Sequence, residues 1–74
     1  MEISINKARI KYLRESQRIH QADLADAAGV DQRFISHIET GRKDPSVKVL
    51  VRIAKALGAT LDELVVVTPE SNAV

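Results

Sequence analysis

Between Gln21 and Ile38, apolar residues recur three and four apart on both sides of one glycine, and that arrangement narrows the fold more than anything else in the chain. Before the glycine, Leu24, Ala25 and Ala28 make one helical stripe; after it, Ile35 and Ile38 make another. Gly29 falls where a sharp helix exit favours positive φ, and Asp31 follows as a good N-cap for a new helix running to about Thr40. Two short helices joined by a three- or four-residue turn must cross steeply with their backbones close together. Ala25 suits that crossing, because a larger side chain there would push the helices apart, while Leu24, Ala28, Val30, Ile35 and Ile38 supply the apolar underside.

The rest of the chain reads as helical too. The spacing predicts a first helix from about Asn6 to Ser16, with Ile10 and Leu13 inward and cations outward, ending near Gln17 or Arg18. The second starts near Gln21, with Asp23 in its first turn as the helix dipole prefers, and Gly41 stops the third. Arg42 to Pro45 form a connector. Ser46 then caps a fourth helix, along which Val47, Leu50, Val51, Ala54 and Leu57 follow at helical spacing until Gly58 ends it. Thr60-Leu61-Asp62-Glu63 has the form of a capping box for a short fifth helix. Strand-like alternation is read as missing until Val65, where Val65-Val66-Val67 can leave the helix as a strand or an extended arm and Thr68-Pro69 ends either. The expectation is an all-α, five-helix domain over residues 1–67 and a flexible C-terminal tail over 68–74, frayed from Glu70 to Val74.

With 74 residues there is room for one domain, and it must do everything. The absence of cysteine excludes a zinc finger, a disulfide framework and a cysteine nucleophile. His20 and His37 lie far apart without a matching carboxylate pattern, so no metal site and no cofactor is expected. Catalysis lacks its parts: no glycine-rich phosphate loop follows a strand, no nucleophile has a plausible base, and the acids fall on separate helices. The start of the chain does not have the layout of a signal peptide and no apolar run approaches membrane-spanning length, which makes the cytoplasm the expected location. A net charge of +1 argues little by itself, but through Lys43 bases outnumber acids, so any basic footprint belongs to the first half.

Once Ile35 and Ile38 face inward, Gln32, Arg33, Ser36 and His37 occupy the opposite face of the third helix. Glutamine can bond adenine bidentately, arginine can bond guanine O6 and N7, and serine or histidine can serve bases or phosphates. At this point the chain resembles the phage repressor and Cro type of helix-turn-helix domain, the Xre-like regulators, over roughly Arg9 to Leu64. The resemblance is carried by Gln21-Ala22-Asp23-Leu24-Ala25, Gly29-Val30, Ile35-Ser36-His37-Ile38-Glu39-Thr40-Gly41, Asp44-Pro45-Ser46 and Ile53-Ala54-Lys55-Ala56-Leu57-Gly58. It implies a five-helix, repressor-like fold whose third helix lies in the major groove of double-stranded DNA. Gln32, Arg33 and His37 match base-reading positions, with Ser36 a neighbour; Gln21, Arg42 and Lys43 match phosphate-contacting positions; Arg14 and Glu39 match an ion pair tying the first helix to the end of the third. Two positions depart from the pattern. His20 stands where an N-cap serine or threonine is usual, and Phe34 is large where a small or polar residue is common, either to touch a thymine methyl or to pack on the second helix.

The function this implies is a non-enzymatic transcriptional regulator, a repressor or operon controller, binding a palindromic operator as a homodimer. A single short domain contacts too few base pairs to select one site in a genome, which assigns Val65, Val66 and Val67 to the dimer contact. The same scaffold also serves antitoxins and bridging factors that hold a protein partner, a toxin or a regulator, and the apolar Val65–Val67 segment fits that use as well.

Overall fold

In a computed structural model describing residues 2–69, the helical body is opened and closed by two short strands that pair with each other. Strand β1 (Glu2–Ile5) runs antiparallel to β2 (Val65–Thr68), with Glu2 opposite Thr68 and Ile5 opposite Val65. Between them lie α1 (Lys7–Ser16), α2 (Gln21–Ala28), α3 (Gln32–Glu39), α4 (Val47–Leu57) and a 3₁₀ turn at Leu61–Leu64.

Local signals start and stop most of these helices. The Asn6 side chain accepts the Arg9 N–H at 3.1 Å, Asp31 accepts that of Arg33 at 3.2 Å, and Ser46 accepts that of Val49 at 3.2 Å. Gly29 and Gly58 end α2 and α4 in the left-handed conformation, at φ 72° and 66°. The His20 side chain makes no capping bond, so the first amides of α2 have no side-chain acceptor. The core joins Ile10 of α1, Leu24, Ala25 and Ala28 of α2, Ile35 and Ile38 of α3, Leu50, Ile53, Ala54 and Leu57 of α4, and Leu64.

Three expectations are corrected. There are four α-helices and a two-stranded sheet among the described residues, not five helices. The fifth segment is a single 3₁₀ turn: the Thr60 side chain makes no capping bond, and the Glu63 N–H reaches the Thr60 carbonyl instead, at 3.2 Å. Strand pairing also begins at Glu2, not at Val65; Glu2-Ile3-Ser4-Ile5 does alternate, but four residues make a strand only when a partner returns beside them. In α4 the inward stripe is Leu50, Ile53, Ala54 and Leu57, whereas Val47 is 73% exposed. Val47 is the first residue of α4 and takes no part in the core. Glu70 to Val74, expected to fray, lie outside the described residues.

Candidate nucleic-acid interface

The geometry of α3 follows from where its two ends are tied. At its start, Asp31 holds the Arg33 amide, so the acid is occupied as a cap. At its end, Glu39 turns inward and is the one polar residue among the buried side chains described. Arg14 Nε donates to Glu39 Oε2 at 2.6 Å and Arg14 Nη2 donates to Oε1 at 3.0 Å, a two-pronged pair with both side chains nearly enclosed. Arg14 Nη1 also donates to the Ile19 carbonyl at 2.8 Å, which fixes the connection between α1 and α2. The Glu39 hydrogen bond, opposed by burial and helped by its charge, holds the Arg14 guanidinium above the ordinary arginine range. The Arg14 guanidinium is therefore charged at every ordinary pH, and no loss of stability from its deprotonation falls within the working range.

Gln21, the first residue of α2, joins this network: its Nε2 donates to Glu39 Oε1 at 3.2 Å. A side-chain amide carries two hydrogens, so this bond leaves Gln21 with a second donor. The start of α2, the end of α3 and α1 are thus joined through one carboxylate. Two further ties were not legible in the sequence. Gln17 Nε2 donates to the Leu57 carbonyl at 2.7 Å and Arg52 Nη1 to the Ala28 carbonyl at 3.4 Å, each closing the C-terminal end of a helix with a side chain distant in sequence.

With α3 tied at both ends, its outer face is open. Gln21, Asp31, Gln32, Arg33 and Ser36 line one open depression of about 380 Å³. Gln32 and Arg33 are exposed, Ser36 and His37 half-buried, and none of these four side chains has a hydrogen-bond partner among the described residues. His37, the residue after Ser36 and one turn beyond Arg33, is outside the lining of that depression. Arg42 and Lys43 are exposed beyond the helix, where both backbone amides donate to the His37 carbonyl, at 2.8 and 3.2 Å. Phe34 packs against the core cluster as a half-buried residue. Val65 does so too, while Val66 and Val67 are exposed on β2.

Short helices crossing at a glycine turn, the second presenting unpaired polar groups from an anchored axis, define a helix-turn-helix unit. A helix-turn-helix family model matches residues 10–64, and the chain belongs to that family. An uncharacterized HTH-type transcriptional regulator of Methanocaldococcus jannaschii is 38% identical over 58 residues, covering 78% of this chain and 88% of the relative. The immunity repressor protein of Bacillus phage phi105 is 33% identical over 57 residues, which span 77% of this chain and 40% of the repressor. Among solved structures, the P22 c2 repressor in complex with a synthetic operator superposes with a TM-score of 0.75 at 30% identity, over 80% of this chain and 89% of that one. The restriction-modification controller protein C.AhdI from Aeromonas hydrophila gives 0.73 at 26% identity, over 77% and 86%.

Proposed function

We propose that the chain is a DNA-binding transcriptional regulator, a repressor or operon controller, that reads a palindromic operator by laying α3 in the major groove. The observation that carries this reading is the division of polar groups on α3. Glu39 is tied inward, while Gln32, Arg33, Ser36 and His37 keep their donors and acceptors free on the outer face. Gln32 and Arg33 read base edges, with Ser36 and His37 beside them; Gln21, Arg42 and Lys43 hold the phosphate backbone and set the register. The uncapped amides at the start of α2 support the Gln21 role, since an anion there meets backbone donors and the positive end of the helix dipole. The relatives named as a repressor and the solved repressor–operator complex support the same reading.

The regulator works as a homodimer whose half-sites lie about one helical turn apart. Val65, Val66 and Val67 contribute to the contact as part of a two-stranded sheet, not as a free arm, because β2 is paired with β1 within the chain. Ile3 and Val67 face each other across the strands and are 68% and 50% exposed, an apolar pair with nothing over it in the monomer. That pair also favours a second reading, in which the two-stranded sheet holds a protein partner such as a toxin or another regulator.

Selection from random duplex DNA at moderate salt tests the proposal. Enrichment of an inverted repeat is the expected result. Weak, salt-controlled binding with no enriched sequence would move the function to the protein-partner reading.

A further inference from the structure

Gly41 is overlain by a side chain from the start of α1. It sits at φ +79°, and a Cβ built on it would lie 2.5 Å from the Lys7 ammonium nitrogen, 3.2 Å from its Cδ and 3.4 Å from its Cε. The outer half of Lys7 therefore runs across the glycine where any other residue would carry its side chain. Lys7 is the first residue of α1, while Gly41 immediately precedes Arg42 and Lys43. The fold thus brings a third cation, distant in sequence, to the corner where α3 ends. One carboxylate, Asp44, follows the cations in the chain.

The backbone of this corner is occupied. Thr40 N–H donates to the Ser36 carbonyl at 3.0 Å, Gly41 N–H to Ile38 at 3.1 Å, and the Arg42 and Lys43 amides share His37. None of these four amides is left to receive an anion, in contrast to the start of α2, so an anion at the corner must be held by side chains. Lys7, Arg42 and Lys43 are all exposed.

We infer that Lys7 is a further DNA-backbone contact, forming with Arg42 and Lys43 a three-cation clamp on the phosphates beside the C-terminal end of α3. Gly41 leaves the space through which the lysine reaches it. The inference rests on the DNA-binding reading above. It assigns Lys7 a sequence-independent role, because an ammonium acting on phosphate adds affinity and salt dependence without choosing bases.

The test titrates the intact protein, Lys7→Gln and Lys7→Arg onto a fluorescein-labelled duplex of mixed sequence across a series of KCl concentrations, with thermal melts confirming equal folding. Lys7→Gln keeps most of the stem and removes the charge. It should flatten the slope of log K against log salt by about 0.9, the value for one lost phosphate contact, while Lys7→Arg keeps the parent slope. An unchanged slope for Lys7→Gln, with the parent still binding in a salt-dependent way, overturns the Lys7 assignment and leaves the DNA-binding reading standing. Failure of the parent itself to bind the duplex overturns both.

Discussion

The crossing of α2 and α3 is fixed from several directions, whereas the β1–β2 strand pair reaches the core through Ile5 and Val65 at its inner end. At the crossing, Leu24, Ala25, Ile35 and Ile38 are buried, Gly29 and Asp31 set the turn, and Arg14, Glu39 and Gln21 lock the helix ends together. At the outer end of the strand pair, Ile3 and Val67 are apolar and exposed. The contrast separates two physical tasks. A helix proposed to read base edges gains from being held at a fixed angle before it meets them, and the supports of α3 are buried and redundant. A surface that gains by being covered keeps apolar area in water and contributes little to the fold until a partner arrives.

The largest effect that would break this contrast is removal of the carboxylate. Glu39→Ala leaves the Arg14 guanidinium enclosed without its partner and should cost about 3 to 5 kcal/mol of stability in urea unfolding, much of what a domain this small possesses. A loss below about 1 kcal/mol would mean that the pair is solvated and that the α3 axis is held by packing alone. Next comes Leu24→Ala, which empties a fully buried site between α2 and its neighbours and should cost about 2 to 5 kcal/mol. At the strand pair the expectation reverses. Ile3→Ser should change stability by about 0.5 kcal/mol or less, yet weaken self-association in sedimentation equilibrium at micromolar concentration. Unchanged sedimentation would take the strand pair out of the dimer contact.

What was legible in the sequence follows the same division. The helical stripes at Leu24, Ala25, Ala28, Ile35 and Ile38, and the caps at Asp31 and Ser46, are governed by local spacing and local hydrogen bonds, and the structure has them in place. Strand β1 was missed because Glu2-Ile3-Ser4-Ile5 is a strand by virtue of Val65–Thr68 returning alongside it, a fact that no window around residue 3 contains. Thr60 and Glu63 failed as a capping box because the chain passes directly from one 3₁₀ turn into β2, leaving no longer helix to start. At the site, the outward position of Gln32, Arg33 and Ser36 was readable as the complement of Ile35 and Ile38. The lysine over Gly41 was not, because 34 positions separate two residues that only the finished packing brings together.

The central claim is that the anchored face of α3 reads DNA sequence, and the most direct measurement compares the parent protein with Arg33→Ala on the selected operator and on scrambled DNA of the same composition. The account predicts that Arg33→Ala melts with the parent, binds scrambled DNA about as well, and loses about 1 to 3 kcal/mol of preference for the operator. A variant that retained both full affinity and full preference would contradict it, showing that α3 does not read the sequence from its outer face.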